Sequence, residues 1–120
     1  LNELKLPTFT QYENNIQNRI ISLVTSEYEI SEIELSKNNV RGDIGEARAM
    51  SIVLLKKYLN ISHSQIAKIF KRDTHSMVSS ALNKHKNKSE NLSSDLKYIK
   101  KYKKIENRLL DDINQMTLIV

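Results

Sequence analysis

Residues 62–88 read Ser-His-Ser-Gln-Ile-Ala-Lys-Ile-Phe-Lys-Arg-Asp-Thr-His-Ser-Met-Val-Ser-Ser-Ala-Leu-Asn-Lys-His-Lys-Asn-Lys. Ser62 and Gln65 stand in capping-box register, so a helix is expected to start at Ser62 and to bury Ile66, Ile69 and Phe70. That helix is expected to break near Lys71-Arg72. Asp73 or Thr74 can then accept from the first free amides of a second helix, whose apolar positions are Val78, Ala81 and Leu82. Two short helices separated by about three residues have the spacing of a helix-turn-helix. At 100° per residue, Val78, Ala81, Leu82 and His85 gather on one side of the second helix, and Ser76, Ser80, Asn83 and Asn87 on the other. A recognition helix needs this division: one face held by its own domain, the other short and polar enough to approach base edges.

The flanking chain continues the helical pattern. Glycine occurs only at 42 and 45 and proline only at 7, so the breakers of β-structure are nearly absent. Upstream, Asp43-x-x-Glu46 is read as the capping box of a helix. In it Ala47, Met50, Ser51, Leu54, Leu55 and Tyr58 form a broad core-facing stripe. Further upstream, Thr10-x-x-Glu13 is read as the start of a helix burying Ile16, Ile20, Leu23 and Val24, and Ser31-x-x-Glu34 as the start of a short one ending near Lys37. Downstream, Ser93 or Ser94 caps a long helix over about 94–117, with apolar positions Ile99, Tyr102, Ile105, Leu109, Ile113 and Met116. That helix either folds back on the domain or pairs with a second copy; the first is favoured, with a homodimer the alternative. The lysines at 97, 100, 101, 103 and 104 read as a solvated helix face. The expected fold class is all-α, with residues 1–120 forming a single helical domain.

Net charge is +5 over 120 residues, but residues 62–88 alone hold six basic side chains against Asp73, whereas residues 1–34 hold two against six acids. A basic segment of this kind favours a polyanionic partner. The absence of cysteine excludes a disulfide framework and fits a reducing compartment. No apolar run approaches membrane-spanning length, so a soluble, cytoplasmic protein is expected. His63, His75 and His85 lack the spacing of a shared metal site. No nucleophile is paired with a base, and no G-x-x-x-x-G-K-[ST] loop is present. The expectation is therefore no enzyme, no cofactor, no metal and no nucleotide.

These residues also carry a family resemblance. From about Ile20 to Lys88 the chain resembles the C-terminal DNA-binding domain of the bacterial chromosomal replication initiator DnaA. Ala47-Arg48, followed by Leu54 and Lys56, resembles that family's Ala-Arg-Gln helix. Ile61-Ser62 through Ile66 and Phe70 resembles the first helix of its motif. Thr74-His75-Ser76-Met77-Val78, ahead of Ala81, aligns without a gap on its Asp-His-Thr-Thr-Val stretch. The resemblance implies an initiator C-terminal, Trp-repressor-like fold that reads double-stranded DNA, with base-reading positions at Thr74, His75 and Ser76 and a further groove-facing position at Ser80. It implies phosphate or minor-groove contacts at Arg48, Lys56, Ser64 and Lys84, of which Arg48 and Lys84 are expected to be exposed. Two departures stand out. Asp73 occupies the place of a family arginine, with Arg72 one position earlier as the available substitute, and the basic loop before the Ala-Arg helix is thinned to Lys37 and Arg41. The resulting expectation is a sequence-specific, initiator-like protein of bacterial or bacteriophage type, acting in replication, transcriptional control or a mobile element. The rival is a structural or protein-interaction module that kept the fold and lost DNA binding.

Overall fold

Eight side chains between Ile44 and Leu55 are buried, Ile44, Ala47, Met50, Leu54 and Leu55 completely so. They do not lie on one stripe. Ile52 and Val53 are buried as well as the predicted Ala47, Met50, Ser51, Leu54 and Leu55, while Tyr58 is half-buried, so most faces of this helix are enclosed by other elements. In the computed structural model it is α3 (Gly42–Tyr58), wrapped by α1 (Asn2–Tyr28), α2 (Glu32–Ser36), α4 (His63–Ile69) and α5 (Ser76–Glu90). A sixth helix, α6 (Leu96–Ile119), packs on α1 and α5. The structure describes residues 2–37, 42–71, 76–90 and 96–119, with side chains over 11–37, 42–71, 76–88 and 96–115. Among them every regular element is a helix.

Local signals explain most of the helix ends. Ser31 and Ser62 each accept from the amide three residues on, at 3.1 Å, while Glu34 and Gln65 reach back to the cap amides, so both predicted capping boxes form. α1 ends with Glu29 in the left-handed region (φ 55°), with Ile30 N–H donating to Thr25 O and Glu29 N–H to Ser26 O. This is the paired bond pattern that usually recruits glycine after a helix. α4 also ends on a left-handed residue: Lys71 has φ 57° and its backbone N–H donates to Lys68 O at 3.0 Å.

Two predicted helix starts are corrected. α1 runs through Thr10 from Asn2, so Thr10 lies inside a helix and does not open one. α3 already includes Gly42, so Asp43 lies within its first turn and does not open it, and the Glu46 carboxylate accepts from Tyr28 OH at 2.6 Å and lies 3.9 Å from Lys88 Nζ. The expected caps at Asp73 or Thr74 and at Ser93 or Ser94 lie outside the described residues, as does the Met116 side chain.

The core is one cluster drawn from all six helices. Ile16, Ile20 and Val24 from α1, Leu35 from α2, the α3 residues, Ile66 and Phe70 around α4, Val78 and Ala81 from α5, and Tyr98, Ile105 and Leu109 from α6 meet in it. Its buried aliphatic hydroxyls are satisfied within their own helices: Thr25 Oγ1 donates to Ile21 O at 2.8 Å and Ser51 Oγ to Ala47 O at 2.9 Å. The α6 stripe faces inward and packs within the chain. Among the described residues no helix is long and apolar enough to cross a membrane.

Candidate nucleic-acid interface

The segment read first folds as two helices of unequal length. α4 is capped by Ser62 and broken by the left-handed turn at Lys71, and the described part of α5 begins at Ser76. Arg72, Thr74 and His75 lie between them, outside the described residues. α4 holds its place through Ile66, Ala67 and Phe70, all nearly inaccessible. Ser64, in its first turn, is exposed.

α5 divides as its periodicity predicts. Val78 and Ala81 are buried, and Leu82 and His85 are half-buried against α3 and α6. Ser76, Ser80, Asn83, Lys84 and Asn87 are exposed. His85 is held by two aromatic residues of α6: its Nδ1 shares a hydrogen bond with Tyr98 OH at 2.6 Å, and its ring centroid lies 4.6 Å from that of Tyr102. Burial, and then the charge of Lys57, push its pKa below the ordinary histidine value. The inner face of α5 is thus fastened by packing and one polar contact, which fixes the direction in which its outer face points.

Three of the predicted contact residues come together. Arg48, Ser80 and Lys84 line one cleft of about 310 Å³ between α3 and α5, with Gly45, Ala49 and Met77. Gly45, Ala49 and Met77 are lining residues that the sequence pattern does not mark as contacts. Their signal is a small-residue pair four apart on α3, on the side where Arg48 lies. A Cβ at Gly45 would meet nothing within 4 Å, so the missing side chain leaves open space where α3 looks toward α5.

Two of the predicted cations are engaged locally. Arg48 is not an exposed side chain: it is half-buried, its Nε donates to Leu35 O at 2.8 Å, and its terminal nitrogen also donates to Lys37 O. It caps the carbonyl end of α2, where the last carbonyls of a helix lack intrahelical donors. Lys56 donates to Ile61 O at 3.1 Å, holding the turn that leads into α4. These bonds fix the geometry of both cations on this side of the molecule.

A capped helix, a left-handed break, and a second helix with a short polar outer face and an inner face packed into the bundle define a helix-turn-helix module. The sequence comparison agrees. The chain belongs to the family described as the bacterial DnaA protein helix-turn-helix, whose sequence model matches residues 17–84. That span takes in α1 from Gln17 through most of α5 and leaves out α6. No curated protein and no solved structure matches the chain significantly.

Proposed function

We propose that this chain is a sequence-specific double-stranded DNA-binding protein that docks the N-terminal turn of α5 in the major groove. The observation that carries the reading is the exposed outer face of α5, built from Ser76, Ser80 and Asn83 and flanked by Lys84 in a cleft that also holds Arg48. Short polar side chains reach base edges, and surrounding cations meet phosphates. Thr74, His75, Ser76 and Ser80 are assigned to base reading, and Lys56, Ser64, Arg72 and Lys84 to phosphates. Arg48 contributes charge while holding α2.

We take residues 1–120 as one domain acting without enzymatic activity, nucleotide or metal, in the cytoplasm of a bacterial or phage-infected cell. Its process is initiator-like: replication, transcriptional control or the maintenance of a mobile element. Burial of the α6 stripe favours the monomer as the working unit. Selection of bound duplexes from a random pool tests the reading. A recurrent motif enriched over successive rounds is expected, and a pool that stays random argues instead for a module that kept the fold without the function.

A further inference from the structure

The basic side chains of α6 take no part in the helix-turn-helix. Between Leu96 and Leu110 the helix carries Lys97, Lys100, Lys101, Lys103, Lys104 and Arg108 against one acid, Glu106. That acid is turned inward. Its Oε2 accepts from Lys57 Nζ and Tyr58 OH, each at 2.5 Å, and its side chain is 15% exposed. It therefore compensates α3 and leaves the outer face of α6 basic as far as Arg108, after which Asp111 is exposed on the same face. Lys101 rests 4.3 Å from the Tyr28 ring centroid, and Lys104 lies 3.2 Å from Glu27 while staying 60% exposed. Lys97, Lys100, Lys103 and Arg108 are exposed. Lys97, Lys100, Lys104 and Arg108 fall at i, i+3, i+7 and i+11, so they share one helix face and extend over roughly 16 Å.

Two observations decide which polyanion this face suits. The apolar side of α6 is spent in the core, where Tyr98, Ile99, Tyr102, Ile105 and Leu109 are buried; among the described residues of this helix the exposed large apolar side chains are Leu96 and Leu110, too few to sink it into a bilayer. Its basic end also adjoins the first turns of α3. Lys97 and Lys101 line a cleft of about 270 Å³ with Tyr28, Gly42, Asp43 and Glu46, while Gly45 and Arg48 of the same turns line the α3–α5 cleft. Both clefts border α3, a helix about 10–12 Å across. A duplex seated against α5 presents a phosphate charge every ~1.7 Å of its axis and extends well past that width.

We propose that the outer face of α6 is a second, sequence-independent contact to the phosphate backbone of the same duplex, beside the footprint of the helix-turn-helix. This rests on the DNA-binding reading above. On this proposal α6, which lies outside the family match, lengthens the footprint and adds affinity without adding discrimination.

The test compares the full chain with Lys97→Gln/Lys100→Gln/Lys104→Gln on two duplexes sharing one selected site, across a salt series. One duplex is trimmed to the helix-turn-helix footprint and the other is a helical turn longer at each end. The unsubstituted chain should bind the longer duplex more tightly and with a steeper salt dependence. The triple variant should lose that advantage, its log–log slope on the longer duplex falling by about 0.9 per lost contact, so by about 2–3, with the short duplex unaffected. Lys97→Arg/Lys100→Arg/Lys104→Arg should retain the slope, and Lys100→Gln alone, should the triple variant not fold, should lower it by about 0.9. Unchanged slopes in folded variants overturn the α6 contact and leave the helix-turn-helix reading standing. An unsubstituted chain that binds no duplex overturns both. Retention on phosphatidylserine-containing vesicles, lost in the triple variant and without any length advantage on DNA, overturns the proposal in favour of a lipid surface.

Discussion

Arg48 and Lys84 line the same cleft, yet they are held in different ways and should respond differently to removal. The Arg48 guanidinium satisfies two carbonyls at the end of α2, so Arg48→Ala leaves them without this donor and should cost about 1.5–3 kcal/mol, read as a lower denaturant midpoint. Lys84 is exposed, so Lys84→Ala should leave stability within about 0.5 kcal/mol. It should weaken binding to all duplexes and flatten the log–log salt slope by roughly 0.9. Gly45 gives the complementary case. An alanine there meets no neighbouring atom and removes the entropic cost of glycine within a helix, so Gly45→Ala should stabilise the fold by about 0.5–1 kcal/mol. If the cleft seats DNA, Gly45→Leu should lower duplex affinity in a protein that still folds; unaltered affinity would place the DNA elsewhere. The base-reading and phosphate assignments rest on a linear alignment, which marks Arg48 as a cation but cannot reveal that α2 ends beside it.

For the helices, legibility tracks how local the determining signal is. Ser31-x-x-Glu34 and Ser62-x-x-Gln65 close their boxes within four residues, so the starts of α2 and α4 are readable from the sequence. Asp43-x-x-Glu46 has the same form, yet α3 already includes Gly42, and Glu46 bonds Tyr28 on another helix, a partner that no local pattern reveals. The encirclement of α3 is only half legible: the periodicity marks a stripe of six positions, whereas Ile44, Ile52 and Val53 are buried too. A helix buried on all sides carries weak periodicity, which blunts the signal that would reveal it. Neither glycine lies at a left-handed helix end, so Glu29 and Lys71 give no warning in residue type. For α6 the stripe is legible but its partner is not, and the structure places Leu109 fully buried in the shared core. Leu109→Lys should therefore unfold the protein and not merely separate a dimer, since a lysine buried without a partner costs several kcal/mol. Loss of the helical signal in circular dichroism is the expected result; a folded protein of halved mass in solution would instead make α6 a dimer element.

Across the molecule, α6 is fastened by a chain of tyrosines, and these set the pH range of stability. Burial holds the Tyr28, Tyr98 and Tyr102 hydroxyls well above the ordinary phenol value of 10.0, and burial with the Glu106 bond pushes Tyr58 up to about 12. A phenol whose pKa is raised on folding contributes stability that is full below pH 10 and lost as pH rises through the folded value. His85 acts at the other end. Its pKa lies below 6.5, so its contribution is full above that pH and is lost as pH falls through the lower folded value. Burial alone would raise Glu106, but the bonds from Lys57 and Tyr58 bring it below 4.5, extending the acid loss to lower pH. Thermal melts should therefore show a plateau between about pH 6.5 and 10 and fall on both sides; a melting temperature that rises from pH 7 to 5 contradicts this.

Base reading is assigned to residues 74–76, at the entry to α5. The most direct measurement is a competition between the selected duplex and a scrambled one for the unsubstituted chain and for His75→Ala/Ser76→Ala, with thermal unfolding run alongside. We expect each lost base contact to cost about 1–3 kcal/mol on the selected duplex and far less on the scrambled one, so discrimination collapses while residual salt-dependent binding persists. A folded variant that discriminates as well as the unsubstituted chain would contradict the assignment of this turn to base reading.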